Sequence, residues 1–105
     1  MHRRVAITGM GVVSSLGLDT DSFFNNIVNG KSGISPITSF DTSNHSVKIA
    51  GEVKTDLNEY FDSKELNRID RFTAFALIAA KEAIETSKLN EKVNQNVGVI
   101  IGSGI

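Results

Sequence analysis

The sequence has no cysteine and a single proline among its 105 residues. Without cysteine, these residues cannot form a disulfide, a thiolate metal site or a cysteine nucleophile. Neither sign of charge is in excess, because 11 Lys and Arg stand against 12 Asp and Glu, a net charge of -1. With no basic surplus to attract polyanions, we expect no nucleic-acid partner and no anionic membrane surface as partner.

Long hydrophobic runs are also missing. The longest are AFALIAA and VGVII, far below the ~20 residues needed to span a bilayer. The N-terminal MHRRVAITG carries two arginines but only a strand-length apolar run, with no cleavage-site pattern after it, so a signal peptide is not expected. These absences favour a cytoplasmic protein.

Local patterns divide the first half of the chain into three elements and a loop. A short apolar run predicts a strand at residues 4–8. Asp19 or Thr20 can cap a helix with apolar residues at helical spacing, and Gly30 is suited to its left-handed end. Residues 31–46 form a loop, and alternating VKIAGEV predicts a half-buried strand at 47–53.

The second half predicts a long helix and a buried strand. Asp62 and Glu65 have capping-box spacing, and the helix runs to about Ser87 with a break at Asp70. A polar turn at 90–96 leads to the apolar run 97–101, which is typical of a strand covered on both faces. Strands alternating with helices predict the α/β class with a largely parallel sheet.

The burial pattern of this half requires more layers than 105 residues can build. Apolar residues surround most of the 72–84 helix, which is typical of a helix buried on several sides. The 97–101 strand also requires cover on two faces. We therefore expect residues 1–105 to be the first, truncated part of a larger layered domain.

The glycine-rich turn after the first strand raises the question of a dinucleotide site. Gly9 and Gly11 are followed by Ser14 where the fingerprint requires glycine or alanine. The next helix starts near Asp19, too late to bring its N-terminal N–H groups to a pyrophosphate. We interpret both glycines as positions of close backbone packing or unusual φ.

Other candidate catalytic or metal-binding residues lack the neighbours that their chemistry needs. Ser103 lies between two glycines, but a nucleophile elbow would need glycine at positions 101 and 105, which are isoleucine. His2 and His45 have no partner at metal-ligand spacing. We therefore expect no cofactor, no metal and no catalytic residue within these residues.

A small basic cluster is the remaining candidate site. Lys64, Arg68 and Arg71 are mixed with Asp62, Glu65 and Asp70. Such a pattern is typical of a solvated helix face, and it is also compatible with a shallow docking surface for an acidic partner.

Five segments in order resemble a known family. RRVAITGMGVVSSLG, NGKSGISPITSFDTS, VKIAGEV, RIDRFTAFALIAAKEAI and VGVIIGSGI are similar to the N-terminus of the β-ketoacyl-acyl-carrier-protein synthases, condensing enzymes of bacterial fatty-acid synthesis. The FDTS, AGEV and DRF elements look more like type II than type I. Ketosynthases of modular polyketide synthases are a more distant fit.

The resemblance implies a thiolase-like α-β-α-β-α fold of five layers in a homodimeric acyltransferase. It implies transfer of an acyl group from carrier protein to a cysteine, then attack by the carbanion formed when malonyl-carrier protein loses CO2. The family's cysteine, two histidines and lysine lie downstream, and His2 and His45 do not replace them. Lys64 and Arg68 match basic residues that contact the acyl carrier protein.

Two alternatives stay open at this point. One is a non-catalytic ketosynthase homologue, such as a chain-length-factor-like partner that keeps the fold without the cysteine. The other is a small nucleotide-binding α/β module.

Overall fold

A computed structural model describes residues 2–89 and 96–104. Three α-helices occur in this part of the chain: α1 (Thr20–Val28), α2 (Ser63–Leu66) and α3 (Arg71–Ser87). The strands β1 (Ser35–Pro36) and β2 (Ile49–Ala50) form one small sheet, and a 3-10 turn, Leu57–Glu59, precedes α2. None of the described helices is both long enough and apolar enough to cross a membrane.

Helix α1 has the ends that the sequence predicts. The Asp19 carboxylate accepts a hydrogen bond from the Ser22 N–H at 2.7 Å, which caps the first turn. At the other end Gly30 has φ +68°, and the N–H groups of Gly30 and Lys31 donate to the carbonyls of Ile27 and Asn26. This pair of bonds is a Schellman ending, for which glycine is favoured because it has no Cβ.

The helix predicted from Asp62 to Ser87 is two helices. The Asp62–Glu65 capping box is present and starts α2, which ends after one turn with Asn67 as its C-cap. Helix α3 begins at Arg71 after Asp70, where the backbone is extended. The break at Asp70 is thus confirmed, but residues 67–70 are not helical.

Helix α3 carries the buried side chains of the described chain. Ala74 and Ile78 are the only buried hydrophobic residues among those described, with 0% and 8% of their surface exposed, whereas Phe72 and Leu77 are about half exposed (47% and 48%). The helix ends at Lys88, a non-glycine residue in the left-handed region with φ 56°. The expected burial on several sides is therefore not provided by residues 2–89 and 96–104.

The sheet differs from the predicted one in size and direction. β1 and β2 are antiparallel, with Ser35 opposite Ala50 and Pro36 opposite Ile49. The predicted 47–53 strand is thus reduced to two residues. The prediction that its apolar side chains are half-buried is wrong for Val47 and Ile49, which are exposed. Pro36 is tolerated because this short strand is an edge, where no donor is needed on the open side.

The strands predicted at 4–8 and 97–101 do not form. Val5, Ile7, Val99 and Ile100 are 81–96% exposed, and no described strand pairs with either segment. A strand requires a neighbour to accept and donate its ladder hydrogen bonds, and a parallel neighbour comes from a distant part of the sequence. The polar turn predicted at 90–96 lies outside the described residues except for Asn96.

The chain exposes far more surface than a compact protein of its mass. Its accessible surface is 8920 Å², whereas a compact monomer of 11.3 kDa exposes about 5,700 Å². Its radius of gyration is 17.0 Å, against about 13 Å for a compact domain of this length. Among the described residues, apolar side chains such as Val5 (91% exposed), Ile7 (83%) and Ile100 (96%) contribute to this exposed surface.

Candidate functional site

The turn at Gly9 and Gly11 packs its backbone directly on α3. A Cβ added to Gly11 would clash with the backbone carbonyl of Ala79, and one added to Gly9 would clash with that of Ala83. The second clash also involves the Ser87 side chain, 2.8 Å away. The glycines are therefore positions of close approach between two backbones, as the sequence predicts.

Glu82 fills the position at the start of α1 where an anion would bind. One carboxylate oxygen accepts hydrogen bonds from the Thr20 N–H at 2.8 Å and from the Thr20 hydroxyl at 2.9 Å. The other accepts from the Val12 N–H at 3.0 Å. Because helix N-termini bind anions through such N–H groups, the protein's own carboxylate occupies the place that a phosphate would need.

The electrostatics of Glu82 agree with this geometry. Partial burial raises the pKa of its carboxyl group, but the hydrogen bonds from Thr20 and Val12 outweigh that effect, and the net pKa is lowered. Asp19 opposes this weakly as a nearby negative charge. The Glu82 carboxylate of α3 is thus hydrogen-bonded to both the glycine turn and the start of α1. The sequence patterns did not indicate this role.

Lys64 and Arg68 are close in sequence and exposed, but they do not lie on one continuous helix. Lys64 is in α2, whereas Arg68 lies in the turn after it, where its N–H donates to the Glu65 carbonyl at 3.0 Å. The continuous helix predicted from Asp62 would place these residues four apart on one helix face, but that prediction is wrong because α2 ends at Leu66. Within the described part of the chain, neither cation has a carboxylate within 4.0 Å.

Arg71 differs from the other two basic residues because its guanidinium makes contacts within the protein. Its guanidinium donates to the Val53 carbonyl at 2.6 Å and lies over the Phe75 ring, 4.8 Å from the centroid. The bond to Val53 links the start of α3 to the segment after β2, whereas the contact with Phe75 lies within α3. The basic cluster therefore divides into two cations without an ion-pair partner among the described residues, Lys64 and Arg68, and one structural cation, Arg71.

The remaining candidate residues stay separate. His45 lies edge-on to Phe40, with centroids 5.5 Å apart, and His2 and Ser103 are exposed. Over residues 2–89 and 96–104, no three His, Cys, Asp or Glu side chains are grouped so that they could hold a metal ion. The described residues thus bring together no catalytic set, and Lys64 with Arg68 is the candidate interaction site.

Comparison with known proteins identifies the family. The family model described as "Beta-ketoacyl synthase, N-terminal domain" matches residues 2–105. The chain belongs to the β-ketoacyl synthase family. This confirms the resemblance found in the five sequence segments and assigns the chain to the N-terminal domain of that family.

Curated relatives in this family agree with the assignment. The chain is 44% identical over 107 aligned residues to 3-oxoacyl-[acyl-carrier-protein] synthase 2 of Staphylococcus aureus (strain COL), covering 99% of the chain and 26% of the relative. It is 40% identical to the protein of the same name from Synechocystis sp. (strain ATCC 27184 / PCC 6803 / Kazusa), covering 98% and 26%. The chain spans about a quarter of the length of these relatives.

A solved structure supports the fold class. "The ishigamide ketosynthase/chain length factor" superposes with a TM-score of 0.75 and 33% identity, covering 87% of this chain and 23% of that one. The α/β ketosynthase N-terminal domain predicted from sequence is thereby confirmed, even though segments 4–8 and 97–101 pair with no strand among the described residues.

Proposed function

We propose that this chain forms the N-terminal part of a condensing enzyme of bacterial fatty-acid elongation. The observation that carries the proposal is the 44% identity to a 3-oxoacyl-[acyl-carrier-protein] synthase 2 across 99% of the chain. In this proposal the chain contributes one portion of a five-layer thiolase-like fold. The excess of total accessible surface, about 3,200 Å² above that of a compact monomer, includes exposed apolar side chains that the remaining layers are proposed to cover.

The reaction proposed for the complete enzyme is a decarboxylative Claisen condensation. A cysteine thiolate takes the acyl group from a carrier-protein thioester and releases the carrier thiol. The malonyl thioester loses CO2, and its carbanion attacks the acyl carbonyl, so that the thiolate leaves and the β-ketoacyl thioester forms. Because the 105 residues have no cysteine, the chain alone is proposed to be inactive.

Lys64 and Arg68 are proposed to dock the acyl carrier protein. Carrier proteins of this class are small and acidic, and they must bind briefly and leave. Both cations are exposed, and within the described residues neither has a carboxylate within 4.0 Å. Exposed charge pairs contribute only ~0.2–1 kcal/mol each, but they accelerate encounter, which suits a transient partner.

Charge reversal tests this docking role. In the complete enzyme, Lys64→Glu with Arg68→Glu should lower kcat/KM for carrier-bound substrate, and the loss should shrink as salt rises because salt screens exposed charges. Activity toward a small pantetheine thioester should stay nearly unchanged, since that substrate requires no protein docking. The matched control is Lys31→Glu with Lys48→Glu, which makes the same charge change at exposed lysines outside α2. Equal losses on both substrates would refute the docking role.

A second candidate function is a non-catalytic partner subunit. The observation that favours it is the similarity to "the ishigamide ketosynthase/chain length factor", at 33% identity. Condensation of acyl- and malonyl-carrier protein by the purified complete protein distinguishes the two functions. Turnover by that protein alone supports the condensing enzyme, whereas turnover only with an added ketosynthase supports the partner subunit.

The complete enzyme is further proposed to be a cytoplasmic homodimer. A homodimer is what the family resemblance implies, and the lack of a membrane-crossing helix among the described residues is compatible with the cytoplasm. Sedimentation velocity of the complete protein and its distribution between soluble and membrane fractions test the two statements separately.

A further inference from the structure

Helix α2 is a single turn whose first residues are closed by two reciprocal hydrogen bonds. The Glu65 N–H donates to the Asp62 carboxylate at 2.8 Å, and the Asp62 N–H donates to the Glu65 carboxylate at 3.1 Å. This capping box satisfies two backbone donors that a helix start leaves open. Both acidic side chains beside Lys64 are therefore engaged with backbone.

The same two bonds determine what Lys64 and Arg68 can do. Glu65 stands directly after Lys64 and three positions before Arg68, a spacing at which an acid and a base on a helix surface can pair. The cap keeps the Glu65 carboxylate turned back to Asp62, and within the described residues Arg68 has no carboxylate within 4.0 Å. A lone helical turn has little stability of its own, so its order depends on such caps.

We propose that the Asp62–Glu65 capping box is a positioning device for carrier-protein docking, with Glu65 as a positioning residue. It holds the helical turn that carries Lys64 and leads into Arg68, and it engages the Asp62 and Glu65 carboxylates with backbone N–H groups instead of with these cations. An acidic partner therefore meets two ordered, unneutralised positive charges. This inference rests on the docking role proposed above.

The inference makes a prediction opposite in sign to simple electrostatics. Removing a negative charge from a basic patch should strengthen binding of an acidic partner. If Glu65 acts through the cap, Glu65→Ala should instead raise KM for carrier-bound substrate by about two- to fivefold, because the loss of a cap disorders a marginal turn. Glu65→Gln removes the same charge but keeps an oxygen that can accept from the Asp62 N–H, so its KM should not rise.

The test measures KM and kcat of the complete enzyme with carrier-bound and pantetheine-bound substrate for both variants. A raised KM for Glu65→Ala on carrier-bound substrate alone, with Glu65→Gln at or below the wild-type KM, supports the inference. An unchanged or lowered KM for Glu65→Ala, or an equal rise for Glu65→Gln, overturns it. If Glu65→Ala harms both substrates, the pair Asp62→Ala and Asp62→Asn decides in the same way, because asparagine is also a good N-cap.

The double-charge-reversal enzyme separates this inference from the proposed function. In the Lys64→Glu/Arg68→Glu background, Glu65→Ala should no longer change KM, since the charges that it positions are gone. If charge reversal itself leaves carrier-bound KM unchanged, the docking proposal fails. If charge reversal raises KM but Glu65→Ala does not, docking stands and the positioning role alone is wrong.

Discussion

Removing the Glu82 carboxylate should loosen the contact between α3 and the start of α1. The side chain links segments 62 and 70 residues apart in sequence, through bonds of 2.8, 2.9 and 3.0 Å to Thr20 and Val12. The tested changes are Glu82→Ala, which deletes every acceptor, and Glu82→Gln, which keeps the shape but not the charge. Both belong in the complete enzyme.

The expected magnitudes follow from the three bonds. Hydrogen bonds to a charged group are worth ~1.5–3 kcal/mol each when measured singly, but bonds sharing one carboxylate do not add. The freed amides of Glu82→Ala also recover some hydration, so we expect a loss of ~2–3 kcal/mol. In Glu82→Gln the amide oxygen can serve Thr20, but the amide nitrogen then faces the Val12 N–H, donor against donor. For that variant we expect ~1–2 kcal/mol, including the lost charge at the helix N-terminus.

Amide hydrogen exchange is the appropriate assay because it reports the local opening free energy. With 1.36 kcal/mol per tenfold, peptides containing Val12 and the first turn of α1 should exchange ~30- to 160-fold faster in Glu82→Ala and ~5- to 30-fold faster in Glu82→Gln. Glu85→Gln is the matched control one turn along α3. Its partner Lys81 is 4.0 Å away on an exposed surface, so we expect about a twofold change at most.

A local role for the Glu82 carboxylate requires that Glu82→Gln and Glu85→Gln differ in their effect on amide exchange. If Glu82→Gln exchanges no faster than Glu85→Gln at both Val12 and Thr20, the carboxylate does not hold these segments together. Uniformly faster exchange throughout α3 would also refute a local tie, since that outcome indicates global destabilisation.

Three other predictions concern the glycine turn, the isolated chain and Glu52. Residues 9–14 should bind no NAD(H), NADP(H) or ATP, and micromolar affinity by calorimetry that is lost in Gly11→Val would contradict this. Residues 1–105 expressed alone should aggregate and catalyse no condensation, because apolar segments remain uncovered; a monomer with a sharp cooperative melt would refute it. Hydrogen bonds from Ser39 and Thr38 lower the pKa of Glu52 from 4.5 to about 2, so its carboxylate should stabilise the 38–52 link above pH 4.5 and lose that effect as pH falls towards 2. A side-chain NMR titration midpoint near 4.5 would contradict the last prediction.

Helix ends were predictable because the signals that set them are local. Asp19 lies three residues from the Ser22 N–H that it accepts, and Asp62 lies three from Glu65. Gly30 ends α1 because it can adopt a positive φ at little steric cost. The stop of α2 after Leu66 was not predictable from periodicity, since the apolar spacing continues across residues 67–70 while the backbone leaves the helix.

Strand pairing and the hydrogen bonds of Glu82 depend on residues far away in the sequence, which a local sequence pattern does not reveal. The apolar runs at 4–8 and 97–101 predict strands that do not form, because their ladders require neighbours that the described residues do not supply. Glu82 was missed for a related reason. Its only local signal is an acidic residue between Ala79 and Ala83 on the face that meets the glycine turn, and its partners lie more than 60 residues away.

The glycine turn and Glu82 together explain why an N-terminal sequence that resembles a nucleotide-binding turn has a structural role instead. Glycine at positions 9 and 11 allows the backbone to lie against the carbonyls of α3, and this approach brings the Val12 N–H within 3.0 Å of Glu82. The same carboxylate then meets the first N–H of α1. A bound phosphate would have to displace a carboxylate held by three hydrogen bonds. The features that imitate a phosphate cradle in sequence therefore join α1 and α3, through backbone contacts of the glycine turn and hydrogen bonds to one carboxylate.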